Sequence, residues 1–151
     1  MTRCVIYARV SSKDQEREGF SIPAQLELLR DYANRHGLEV VEEFTESETA
    51  KVSGREQFQA MLKFLGQKKA PAILLVEKTD RLYRNFKDYV YIDDLITAKG
   101  LEVHLVKENE VLSDKAKSHT KFIHGIKVLM AKNYIDNLSE EVIKAYSFRN
   151  Q

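Results

Sequence analysis

The chain holds a single cysteine, Cys4, so no internal disulfide is available, and with four scattered histidines no zinc-type spacing exists. Long apolar runs are missing as well. The longest, "AILLV" and "CVIYA", are far too short to span a bilayer, so no membrane partner is expected. The N-terminal "MTRCVIYARVSS" lacks an apolar h-region and a small-residue cleavage site, which reads as a cytoplasmic protein. Internal repeats, low-complexity tracts and Gly-rich phosphate loops are all absent, which excludes the common nucleotide-binding fingerprints. Net charge is also nearly absent, at +1. A domain that grips DNA unaided is usually more basic. Nucleic-acid contact would have to come from local patches such as "RLYR" and "KAKSHTK", or mainly from a part of the protein outside this chain.

What is present is an ordinary globular composition. The 151 residues, 43% hydrophobic and 31% charged, suit one domain with a real core. Strand and helix patterns alternate along it. "CVIYARV" (4–10) is a continuous apolar run of the kind buried on both faces of a parallel sheet. Ser21 reads as an N-cap with Pro23 in the first turn, followed by Ile22, Leu26, Leu29 and Ala33 at helical spacing and Gly37 as the stop. "LEVVEEF" (38–44) is a second strand, and 45–54 reads as a mobile loop. Phe58, Met61, Leu62 and Leu65 mark a helix ending at Gly66. "AILLVE" (72–77) is the third strand, introduced by Pro71. After the loop "KTDRLYRN", a helix runs from about 87 to 99, with Val90 and Leu95 inward and Gly100 as its cap. "LEVHLV" (101–106) is a fourth strand and "KENEVLSDKAKS" a flexible connection.

Residues 118–146 read as one long helix, with Phe122, Ile126, Leu129, Ile135, Leu138 and Val142 forming an apolar stripe. The expected fold is therefore α/β: a mostly parallel, four- to five-stranded sheet with helices on both faces, then a long C-terminal helix. The division is a core over 1–112 and the helix over 118–146 within a single domain.

Ligands of such sheets sit beyond the carboxyl ends of the strands. On that edge the topology gathers Arg9, Ser11 and Ser12 from the first strand, Arg55 from the loop after the second, and Asp80, Arg81 and Arg84 from the third. A guanidinium inside a core strand is costly unless paired, so Arg9 asks for a carboxylate such as Asp80, or for an anionic ligand. Arginine forks match phosphate oxygens, and phosphoryl transfer is catalysed largely by positioning and charge stabilisation. One carboxylate among three or four arginines, beside a hydroxyl, points to metal-free attack by serine on a phosphodiester. No cofactor is expected.

These residues resemble the catalytic domain of the serine recombinases, the resolvase/invertase family, and within it the large branch of phage integrases and transposon recombinases. "YARVSSKDQ" is similar to the nucleophile motif Tyr-x-Arg-Val-Ser-x-x-x-Gln, which assigns Ser11 rather than Ser12 and includes Gln15. Gln25 in "SIPAQ" matches the glutamine at the opening of the first helix, and "TDRLYR" resembles Asp-Arg-Leu-x-Arg. Arg55 fits the arginine that ends the loop after the second strand, while Thr49 stands where a second active-site serine is usual. The resemblance implies attack by Ser11 on DNA, a covalent 5′-phosphoserine link, strand exchange and religation. It gives catalytic roles to Arg9, Arg55, Asp80, Arg81 and Arg84, and supporting ones to Gln15, Gln25 and Thr49. It further implies double-stranded recombination sites as partners, with a homodimer on each site and a tetramer at synapsis through helix 118–146. The DNA-binding domains of the large branch are not expected within this chain.

Two other readings remain open on the residues alone. One is a non-catalytic α/β module that binds DNA or a nucleotide, in which Ser11 is only a loop hydroxyl or helix cap. The other is a different phosphoryl-transfer enzyme such as a phosphatase, against which stands the lack of a cysteine loop and of a carboxylate cluster. The four histidines and Tyr7, Tyr83 and Tyr134 read as packing or exposed residues.

Overall fold

β1 (Thr2–Val10) is buried at every residue from Cys4 to Val10, because its run has apolar side chains for both faces of a sheet. The computed structural model describes residues 1–11, 21–47, 56–114, 124–126 and 128–129. The other elements are α1 (Ile22–Arg35), β2 (Leu38–Ser47), α2 (Glu56–Leu65), β3 (Ile73–Val76), a short α3 (Thr79–Leu82), α4 (Phe86–Lys99), β4 (Glu102–Leu105), a 3₁₀ turn (Val106–Glu108) and β5 (Glu110–Leu112). They form a five-stranded sheet in the order β2-β1-β3-β4-β5, parallel except for β5, which runs antiparallel to β4.

Alternation along β1 feeds two cores. Val5 and Tyr7 join Leu74, Val76, Val103 and Leu105 beneath Phe58, Met61 and Leu65 of α2 and Ile92 and Ile96 of α4. Cys4 and Ile6 join Ile73 and Leu75 beneath Leu29 and Ala33 of α1. Burial pushes the Cys4 thiol up to about 11, so it remains a small inert hydrophobe. The caps follow the sequence. Ser21 Oγ accepts from the Ala24 N–H at 3.3 Å, with proline in the first turn of α1. Gly100 ends α4 in the left-handed region, at φ 72°, where other residues are strained.

Four expectations need correction. β2 does not stop at Phe44 but continues to Ser47, since Thr45, Glu46 and Ser47 pair with Ala8, Arg9 and Val10. Long-range pairing overrides the polar composition there. The stretch after β4 is likewise ordered as far as Asp114, its remainder lying outside the described residues: Asn109 turns the chain at φ 51°, and β5 zips back onto β4 through Val103–Leu112 and Leu105–Glu110. Val90 is 42% exposed rather than inward, because the buried face of α4 is set by Asp88, Ile92 and Ile96 at four-residue spacing. The segment expected to be only a loop after β3 contains α3. Of the expected long C-terminal helix, 124–126 and 128–129 are helical, with Val128 in the core under the sheet and His124 buried against Tyr83 and Tyr89, and the remainder lies outside the described residues. No helix among the described residues is long and apolar enough to cross a membrane.

Candidate active site

The carboxyl ends of β1 and β3 lie side by side, and the chain leaves them in opposite directions, toward α1 from one and α3 from the other. This is the switch point at which open parallel sheets present a crevice. Arg9 spans it. Its Nε donates to the Arg81 carbonyl at 3.1 Å, and its terminal nitrogen donates to the carbonyls of Asp80 and, at 3.5 Å, Tyr83. The partners of this 8%-exposed guanidinium thus include main-chain oxygens, which neither sequence expectation foresaw. The reason is local. A short helix leaves the carbonyls of its last turn without intrahelical donors, and a cationic fork can satisfy several at once.

Arg9 is fixed from the other side by Gln25. The two exchange a reciprocal pair of bonds, Arg9 N–H to Gln25 Oε1 at 3.2 Å and Gln25 Nε2 to the Arg9 carbonyl at 2.9 Å. Gln25 is fully buried, so the end of β1 is locked to the first turns of α1 just before Ser11. Ser11 itself is the first residue past the strand and is partly exposed, whereas Val10 before it is buried.

α3 is tethered at its other end. The Thr79 N–H and Oγ1 both donate to Glu108 Oε1 at 2.6 Å, from the 3₁₀ turn after β4. Within α3, Asp80 is exposed and Arg81 is 5% exposed, its Nε 3.4 Å from the buried Glu77. Arg84 follows on the way into α4. Its N–H donates to Asp88 Oδ2 at 2.8 Å, while the Asp88 N–H donates to the N-cap Asn85 at 3.0 Å. This reciprocal cap fixes the backbone of Arg84. Asp88→Ala should therefore destabilise the protein by about 1–3 kcal/mol, the cost of a lost buried acceptor. Asp88→Asn, which keeps an acceptor of similar shape, should fall between it and the parent in urea denaturation.

Tyr83 sits between the two arginines and is fully buried, in edge contact with Tyr89 and with His124 of the C-terminal segment. Burial holds its phenol well above its ordinary pKa. A neutral phenol with no exposed surface cannot serve as a nucleophile toward a polymer, whereas the hydroxyls of Ser11 and of Ser47, at the ends of β1 and β2, reach the surface of that edge.

The structure therefore brings Arg9, Gln25, Asp80 and Arg81 into one bonded unit, with Ser11 two residues beyond Arg9 and Arg84 three beyond Arg81. Arg55, Thr49 and Gln15 lie outside the described residues. Sequence reasoning overlooked four acids. Glu46, 4% exposed, accepts from the Tyr7 hydroxyl at 2.5 Å and from the N–H groups of Gln57 and Phe58 at 2.7 and 2.9 Å, joining β1, the end of β2 and the start of α2. Glu77, Asp88 and Glu108 are the others. Only Glu77 left a usable trace, its four-residue spacing from Arg81.

Comparison with known proteins now decides the family. The family profile described as "Resolvase, N terminal domain" matches residues 4–150. The chain belongs to the resolvase family of serine recombinases. Among solved structures, this catalytic domain is similar to the N-terminal catalytic domain of TP901-1 integrase, at 26% identity and a TM-score of 0.65, over 93% of this chain and 98% of that one. It is similar to a resolvase family site-specific recombinase from Streptococcus pneumoniae, at 25% identity and a TM-score of 0.69, over 99% and 95% of the two chains. It also resembles the C-terminal catalytic domain of an IS607-like serine recombinase, at 28% identity and a TM-score of 0.57, over 79% and 74%. No curated protein sequence matches it. The resolvase match spans both motifs quoted above, "YARVSSKDQ" and "TDRLYR", and the α/β sheet of this recombinase domain is the one its motifs implied.

Proposed function

We propose that this recombinase domain cleaves and rejoins DNA at specific sites through a serine-linked intermediate. Ser11 Oγ attacks the phosphorus of a phosphodiester, the bond from phosphorus to the 3′ oxygen breaks, and the 5′ phosphate stays on the serine. The serine proton leaves to water or a nearby base, and the departing 3′ oxygen takes one up. Religation is the same step reversed, with the 3′ hydroxyl of a new strand attacking the phosphoserine. Arg9, Arg81 and Arg84, joined by Arg55, stabilise the charge on the equatorial oxygens. Asp80, exposed on α3, either protonates the leaving oxygen or orients the arginines. Four arginines at the phosphate make a divalent ion unnecessary for charge neutralisation. Residues 118–146 hold subunits together as dimers on each site and a tetramer at synapsis.

The observation that carries this reading is the position of Ser11, partly exposed immediately beyond the strand whose Arg9 is tied to the α3 carbonyls. The test uses the protein as its gene encodes it, mixed with labelled, nicked duplexes of randomised sequence, whose released strand ends diffuse away and trap the intermediate. A denaturant-resistant protein–DNA adduct should form in excess chelator, with the phosphate on the peptide containing Ser11. Tight but purely non-covalent binding would favour the non-catalytic module instead. An adduct that forms only when magnesium is restored would overturn the metal-free step.

A further inference from the structure

Glu77 is the first residue beyond β3 and is 1% exposed, an unusual place for a carboxylate. One of its oxygens lies 3.4 Å from Arg81 Nε, and the other lies 3.5 Å from Lys107 Nζ on the 3₁₀ turn. Its carbonyl also accepts the Lys107 N–H at 2.9 Å. The carboxylate is thus held at a fixed point between β3 and the β4–β5 connection before it meets the arginine. Arg81, itself only 5% exposed, meets it from α3, four residues later.

Stability alone does not call for such a pair. Taking two charges out of water offsets most of their mutual attraction, and apolar residues of equal volume usually serve as well. What the pair does supply is orientation. A carboxylate engaged at Nε restrains the torsion of the whole guanidinium plane, because the fork is rigid and planar. It also ties Arg81 of α3 back to the end of β3, beside Arg9.

We propose that Glu77 is a positioning residue for Arg81, setting the plane of its fork for the scissile phosphate. The proposal rests on the functional reading above. Glu77 touches neither DNA nor the reacting atoms, so its loss should appear in the cleavage step rather than in DNA binding.

The experiment measures adduct formation at saturating trapped duplex, DNA binding by gel shift, and thermal melting, for the parent, Glu77→Gln, Glu77→Ala, Arg81→Ala and the Glu77→Ala/Arg81→Ala double variant. Glu77→Gln and Glu77→Ala should slow cleavage by roughly tenfold to 10²-fold, the scale of a misplaced catalytic group. Affinity for DNA should stay unchanged. The double variant should be no slower than Arg81→Ala alone, since a residue that acts only through Arg81 has nothing left to act on. Independent, multiplying losses would overturn the proposal, as would parent-like cleavage by a folded Glu77→Gln protein. If the parent itself forms no adduct, the functional reading fails first; if it does and Glu77→Gln matches it, only the role of Glu77 fails.

Discussion

Ser11→Ala is expected to abolish adduct formation while site binding persists. The substitution removes the one oxygen proposed to bond to phosphorus, and loss of a covalent nucleophile costs roughly 10⁴-fold or more. The fold is expected to survive the change. Ser11 is partly exposed past the end of β1, and the strand before it is locked by the Arg9–Gln25 bonds, which do not involve the serine side chain. Melting should therefore be close to that of the parent. Ser12→Ala should form adduct at the parental rate, because the motif resemblance assigns the nucleophile to the first of the two serines. The measurement is quantified adduct against time with the nicked duplexes, together with gel-shift affinity. The reverse pattern, with Ser12→Ala inactive and Ser11→Ala active, would move the nucleophile by one residue. Adduct from both variants would remove it from this loop altogether.

The sheet could be read from the sequence because its signals are local. A run of apolar residues at "CVIYARV", caps at Ser21 and Gly100 and punctuation at Gly37 and Gly66 each act within a turn or a strand. The crevice could be read as well, once strand order brought "RVSS" and "TDRLYR" to one edge. The acids that tie the elements together could not. Glu46 belongs to "TESE" and Glu108 to "KENE", both of which look like solvated acidic faces. What draws Glu46 inside is a set of donors far along the chain, the Tyr7 hydroxyl and the N–H groups of Gln57 and Phe58. Glu108 stays exposed on the 3₁₀ turn, yet its carboxylate accepts both the N–H and the hydroxyl of Thr79. Composition reports charge, but the decision to bury it depends on donors known only in three dimensions. The same applies to Arg9, whose carbonyl partners have no sequence signature at all. Val90 was misplaced for a related reason. Counting only apolar residues missed that Asp88, engaged with the backbone of Arg84, defines the inner face of α4.

The arginines should separate by what else each one holds. Arg9→Ala, Arg81→Ala, Arg84→Ala and Arg55→Ala should each slow cleavage by about 10²-fold or more, the usual consequence of removing a donor that stabilises transition-state charge. Arg9→Ala should do more than that. It leaves the carbonyls of Asp80, Arg81 and Tyr83 without the fork that spans them, and the bonds to Arg81 and Tyr83 are buried. A loss of about 1–3 kcal/mol of stability is expected for such orphaned groups. Arg84 is half-exposed, and its tie to Asp88 runs through its backbone N–H, so Arg84→Ala keeps that tie and should melt near the parent. Lysine at position 9 keeps the charge but not the planar set of donors, and a point charge cannot reach carbonyls on successive residues from one side. Arg9→Lys should accordingly recover little of either cleavage or stability. The measurement pairs adduct rates at saturating duplex with urea unfolding for each variant. Full activity in Arg9→Lys would mean that charge alone matters at that position, and parental stability in Arg9→Ala would mean that α3 is held without it. The combined expectation, cleavage lost in all four alanine variants and stability lost most clearly in Arg9→Ala, ties the catalytic proposal to a bond network that can be tested without DNA.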